Sequence, residues 1–193
     1  MVLVVDFYDS FTYNLVHYFD NAGEQVEIVY HDQLNIDTLV NYSLVVLSPG
    51  PGLPNEKENL FGCITFCKIH NIPIFGVCLG FQALAIFLGG KLENQYAVMH
   101  GVSTRLIEIS HESILFSGIQ NGIQVGLYHS WKVIGLHEKY ITAFSENHVP
   151  MALESKEDKI FAVQFHPESI LTENGMKIIE NVVNWKNNNV SKY

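Results

Sequence analysis

The sequence predicts an α/β fold: a mostly parallel central sheet with helices on both faces, plus additional antiparallel strands. Three observations predict it. Continuous apolar runs at residues 2–5, 44–47 and 74–77 have strand length and no polar alternation, the mark of strands buried on both faces. Helical segments separate them, so consecutive strands join by right-handed crossovers. After Gly89 and Gly90 the chain changes to short strand-like pieces broken by turns, the pattern of hairpins. The chain of 193 residues suffices for one domain with a real core, taken here as 1–193.

The elements follow in order. Residues 2–5 form a first strand ending at Asp6. Lacking a basic leader and a cleavage site, this start does not resemble a signal peptide. A helix opens in the segment 9–15, capped by Ser10 or Thr12, and Gly23 stops it. Strands follow at 26–30 and 44–47, the latter ending in Ser48-Pro49-Gly50-Pro51-Gly52. A helix at 60–70 leads to a fourth strand at 74–77 and a helical segment at 82–88. Strand-like pieces at 104–109, 123–128, 140–144, 151–154 and 159–164 come next. A last helix at 174–185 presents Ile178, Ile179, Val182, Val183 and Trp185, and the polar tail 186–193 is expected to fray. The loops at 9–15, 48–52 and 78–82 all fall at the carboxyl ends of strands, where α/β sheets hold their ligands.

Composition excludes several classes. The net charge of −9, from 11 basic and 20 acidic residues, disfavours a nucleic-acid partner. No apolar run approaches the roughly 20 residues of a membrane span. The three cysteines, Cys63, Cys67 and Cys78, form no disulfide framework, which points to free thiols and a cytoplasmic location. Cys63 and Cys67 share one helical face and read as core. No metal-ligand spacing is visible.

Chemistry concentrates around Cys78. Strand, sharp turn and helix in IPIFGVCLGFQ, 72–82, form the cysteine version of a nucleophile elbow. Its flanking glycines spare the turn a collision, and the following helix aims its positive dipole end at the sulfur. The other reading is a buried cysteine between two loop glycines. A thiolate needs a base. Most of the nine histidines lie in turns or polar segments and read as surface residues. His166 differs: a strand delivers it, and Pro167 stiffens the turn to Glu168, which can orient the ring. Beside the elbow this becomes a Cys78–His166–Glu168 triad. The SPGPG loop alone is an ordinary tight turn, but backbone N–H groups of Gly52 and Leu79 could together form an oxyanion hole.

These residues resemble a known family. GVCLGFQ at 76–82, SPGPG at 48–52, HG at 100–101, YHS at 128–130 and QFHPES at 164–169 occur in the order found in class I, triad-type glutamine amidotransferases. DSFTYNL at 9–15 narrows the resemblance to the small glutaminase subunit of chorismate-using synthases, namely anthranilate synthase component II and its near twin in aminodeoxychorismate synthase.

The resemblance implies that Cys78 attacks the side-chain amide of L-glutamine, His166 shuttles the proton to ammonia, and Glu168 orients His166. Gly50, Pro51, Gly52, Gln82, Ser130 and Trp131 match positions that hold the glutamine. Ammonia passes to a synthase large subunit, and Asp9, Ser10, Tyr13 and Asn14 form part of the contact with it. No cofactor is implied in this chain; Mg²⁺ is expected on the synthase partner. Phe81, Val102 and Leu127 depart from the commonest family pattern, and the departures are read as lying at the partner-facing rim. The competing readings are the same role in aminodeoxychorismate synthase, a scaffold subunit without catalysis and, more distantly, a cysteine peptidase. The isolated chain is expected to be a poor glutaminase, because partner docking on the loops at 9–15 and 128–131 would complete the site.

Overall fold

The computed structural model describes residues 1–189 and, for residues 96–99, the backbone alone. Nine strands among them form one sheet: β1 (Val2–Asp6), β2 (Val26–Tyr30), β3 (Leu44–Leu47), β4 (Ile74–Val77), β5 (Lys91–Ile107), β6 (Gln124–Ile134), β7 (Ile141–Ser145), β8 (Pro150–Ser155) and β9 (Ile160–Val163). The order is β2-β1-β3-β4-β9-β8-β7-β5-β6. Neighbours from β2 to β9 pair in parallel, and those from β9 to β6 pair antiparallel. The predicted class is therefore observed, with β9 as the strand where the two halves meet.

Four α-helices cover the sheet: α1 (Thr12–Asn21), α2 (Leu60–Ile69), α3 (Leu79–Phe87) and α4 (Gly175–Asn189). The pleat explains why the early strands are apolar throughout, since alternate side chains point to opposite faces. Val2, Val4, Leu44 and Val46 pack with Leu15 and Phe19 of α1 and Ile178, Ile179 and Val182 of α4. Leu3, Val5, Val45 and Leu47 pack on the other face with Leu60, Ile64, Leu79 and Leu84 of α2 and α3. Each fully buried Leu or Phe contributes roughly 1.5–3 kcal/mol relative to exposure. Cys63 and Cys67 are buried in the second cluster. A hydrogen bond with Cys67, then burial, pushes the Cys63 thiol up, as suits a core residue.

Four expectations need correction. Neither Ser10 nor Thr12 caps α1: the capping residue is Phe11, with no side-chain cap. Thr12 is buried and its hydroxyl donates instead to Asp6 Oδ1 at 2.8 Å. That carboxylate at the end of β1 also accepts from the N–H groups of Tyr8 and Asp9, and so outcompetes the helix end. Second, β5 begins at Lys91 and β6 runs on to Ile134, far longer than the predicted pieces. The added stretches mix polar and apolar residues without a clear strand pattern, but the antiparallel ladder satisfies their backbone groups and Lys132 pairs with Glu93 at 2.6 Å. Third, α3 starts at Leu79, directly after the elbow. Fourth, the last helix passes Trp185 and continues to Asn189. Lys186 is buried there and pairs with Glu24 at 2.5 Å, so the first part of the expected frayed tail is fastened to the loop before β2. Residues 190–193 of that tail lie outside the described residues.

Candidate active site

Two adjacent parallel strands bring the predicted triad together. β4 and β9 are in register with Val77 opposite Val163, so the chains leave the sheet side by side. The Cys78 N–H donates to the Val163 carbonyl at 2.9 Å, extending the ladder by one residue. Cys78 then adopts φ 52° and ψ −96°, a left-handed conformation that L-residues rarely occupy. The turn closes tightly against its surroundings. A Cβ on Gly76 would lie 2.6 Å from the Gly80 carbonyl carbon, and one on Gly80 would lie 2.5 Å from the Leu47 carbonyl oxygen. A side chain at Gly76 would push α3 away from β4, and one at Gly80 would push the elbow off β3. The first free N–H groups of α3 adjoin Cys78 and bring the positive end of the helix dipole to the turn.

His166 is held from several sides. Its N–H donates to the Gly126 carbonyl at 3.1 Å, tying it to β6. Its Nδ1 is 2.7 Å from Glu168 Oε1, in a pair whose side chains are 2% and 0% exposed. The Tyr128 ring stands edge-on at 4.9 Å and the Phe11 ring at 5.3 Å. Burial opposes charge on this imidazole, but the neighbouring Cys78 sulfur and Glu168 carboxylate outweigh it, raising it from 6.5 to about 10. Nε2 has no hydrogen-bond partner inside the protein among the described residues, so it is free to move a proton. The arrangement can support a thiolate–imidazolium pair with the ring orientation set by Glu168.

Cys78 lines a cavity of about 180 Å³. Gly50, Pro51, Gly52, Gln82, Ser130 and Trp131, all singled out from sequence, line it too. His166, Glu168 and Leu79 are buried outside that lining. Gly52 is exposed with φ +76°, and the loop before it is packed down: a Cβ on Gly50 would meet Phe7 Cβ at 2.5 Å. The Ser48 hydroxyl accepts from the Phe7 N–H at 3.0 Å and donates to the Pro49 carbonyl at 2.6 Å. Larger hollows of about 300 and 350 Å³ lie elsewhere, but no cysteine lines them. The Glu154 carboxylate beside one of them is already engaged by the Ser113 hydroxyl and the Ile114 and Leu115 N–H groups.

Three lining residues were not predicted as site residues: His100, Tyr128 and His129. His129, a histidine of the YHS motif that was not singled out, is only 4% exposed. The strand was expected to end at 128; because β6 continues, pleat alternation puts His129 on the inward face with Val125, Leu127 and Val133. Burial lowers it to about 4, against a raising hydrogen bond to Trp131 and with help from the charges of His166 and His100. It is therefore neutral at pH 7, with its Nδ1–H donating to the Trp131 carbonyl at 2.8 Å. The three departures from family pattern also sort differently from expectation. Val102 is on the surface, but Phe81 and Leu127 are core residues and not rim residues.

Of the predicted contact loop, Ser10, Tyr13 and Asn14 are exposed, and Asp9 is half-buried with Oδ1 accepting from the Phe11 N–H at 2.8 Å. Among the described residues no group of three His, Cys, Asp or Glu is arranged to hold a metal ion, and no helix is long and apolar enough to cross a membrane.

Comparison with known proteins places this geometry. The model of the family described as "Glutamine amidotransferase class-I" matches residues 3–185. The chain is 39% identical over 184 residues to anthranilate synthase component 2 of Archaeoglobus fulgidus, covering 95% of this chain and 97% of that protein. It is 36% identical over 189 residues to anthranilate synthase component 2 of Helicobacter pylori, covering 94% and 95%. Among solved structures, a protein from Thermoplasma acidophilum described as a "putative gmp synthase subunit a protein" superposes with a TM-score of 0.87 at 26% identity, covering 97% of this chain and 94% of the other.

Proposed function

The chain belongs to the class I glutamine amidotransferase family, and on that premise we propose that it is the glutaminase subunit of anthranilate synthase, in tryptophan biosynthesis. The observation that carries the mechanism is the Cys78 elbow on β4 set beside the buried His166–Glu168 pair delivered by β9.

The chemistry follows from that placement. Cys78 Sγ attacks the side-chain amide carbon of L-glutamine. The carbonyl oxygen gains negative charge and is held by the N–H groups of Leu79 and Gly52, each worth on the order of 3 kcal/mol of transition-state stabilisation. His166 Nε2 gives its proton to the nitrogen as the C–N bond breaks and ammonia leaves. Water, deprotonated by the same nitrogen, then hydrolyses the γ-glutamyl thioester to glutamate and regenerates Cys78. Glu168 keeps the ring oriented throughout. Gly50, Pro51, Gly52, Gln82, Ser130 and Trp131 hold the substrate in the cavity.

Ammonia passes to a chorismate-using large subunit, which docks against Asp9, Ser10, Tyr13 and Asn14 and carries the Mg²⁺; this chain needs no cofactor of its own. Three free cysteines suit the reducing cytoplasm in which the complex would work. The deciding experiment is a coupled assay with L-glutamine, chorismate, Mg²⁺ and the anthranilate synthase large subunit from the same source, read by anthranilate fluorescence. Anthranilate is expected with wild type and not with Cys78→Ser. Glutamate release without anthranilate would retain the glutaminase and move the partner to the aminodeoxychorismate large subunit.

A further inference from the structure

The Cys78 sulfur has a second polar neighbour that the triad does not use. Gln164 follows β9 directly and is completely buried. Its Nε2 lies 3.7 Å from Cys78 Sγ, a normal distance for N–H donating to sulfur. Its Oε1 accepts from Gln82 Nε2 at 3.3 Å. Gln82 Nε2 also donates to the Trp131 backbone carbonyl at 3.4 Å, the same oxygen that accepts from His129.

The polarity of this chain is forced from its far end. A backbone carbonyl can only accept, so Gln82 must present its NH₂ group to Trp131. The other proton of that NH₂ meets Gln164, which must therefore turn its oxygen towards Gln82. The Gln164 NH₂ is then left facing the sulfur. A flipped carboxamide would put an oxygen lone pair against the thiolate and leave a buried group unsatisfied. We propose that Gln164 is a positioning residue for the nucleophile: its carboxamide donates to Cys78 Sγ, orients it and favours its ionised form, with the direction of the donor set by the Trp131 carbonyl through Gln82. This rests on reading Cys78 as the nucleophile. It also explains why a residue inside the QFHPES segment is a buried amide where a strand end would otherwise place an apolar side chain.

The test is the pH profile of Cys78 alkylation by iodoacetamide in the full chain, located by peptide mass, which needs neither glutamine nor a partner. In Gln164→Met, close in shape but without a donor, the thiolate midpoint should rise by about one pH unit, with alkylation below the midpoint about tenfold slower. In Gln164→Glu the midpoint should rise further, because a carboxylate faces the sulfur. A folded Gln164→Met chain with the wild-type profile overturns the proposal. Should both variants fail to fold, wild type labelled with ¹⁵N-glutamine decides. One Gln164 NH₂ proton should shift when Cys78 is alkylated, and no shift there overturns the proposal. A wild-type Cys78 that reacts no faster than free cysteine overturns the nucleophile reading itself, and this proposal with it.

Discussion

His166 concentrates the electrostatics of the site. Its folded value near 10 lies above the ordinary 6.5, so the charged imidazolium is favoured in the folded protein. The stability it contributes is complete below about pH 6.5 and is lost as pH rises through about 10. Cys78 and Glu168 both raise the value, so removing either should lower it. In Cys78→Ala the His166 ring resonance, followed by NMR, should titrate at lower pH than in wild type; an unmoved midpoint would mean that sulfur and ring do not interact. The elbow glycines make a second residue-level case. Gly80→Ala drives a Cβ to 2.5 Å from the Leu47 carbonyl oxygen, which is backbone and cannot swing aside. The expected cost is about 1–3 kcal/mol, seen as a lower urea midpoint.

At the level of elements, α4 and the segment before α1 each perform a task that their local sequence conceals. Lys186 anchors the end of α4 by pairing with Glu24, at 5% and 11% exposure. Lys186→Met would strand that carboxylate and should cost up to about 3 kcal/mol, whereas the double change with Glu24→Gln should cost less. Urea unfolding of the three variants measures the difference. The 9–15 segment reaches His166 through Phe11, whose ring touches both Tyr128 and His166. Phe11→Ala should therefore reduce glutaminase turnover by about tenfold while leaving the far-ultraviolet spectrum unchanged, because His166 loses a wall and not its partner.

On the scale of the whole molecule, Cys78 and His166 sit where the parallel half of the sheet meets the antiparallel half, and Ser10, Tyr13 and Asn14 are exposed at the start of α1. A partner seated on that loop would act on His166 through Phe11. The isolated chain should accordingly release glutamate slowly, and more rapidly once the large subunit is added; equal rates would leave the loop without a regulatory role. The early strands, the helices between them and the elbow were legible in the sequence because each is written in a short window. Continuous apolar runs, glycine at a tight turn and helical periodicity are local signals. Cys78, His166 and Glu168 were also legible, as chemical types in recognisable surroundings. Their adjacency was decided by the pairing of β4 with β9, through Val77 and Val163. The same holds for the outer halves of β5 and β6, the burial of His129, the fastening of Lys186 and the amide chain to Cys78. Each depends on a partner distant along the chain, as Gln164 and Cys78 are, 86 positions apart. Polar segments like these gain order only when another strand or buried group satisfies their hydrogen bonds, and that satisfaction exists only once the chain is folded.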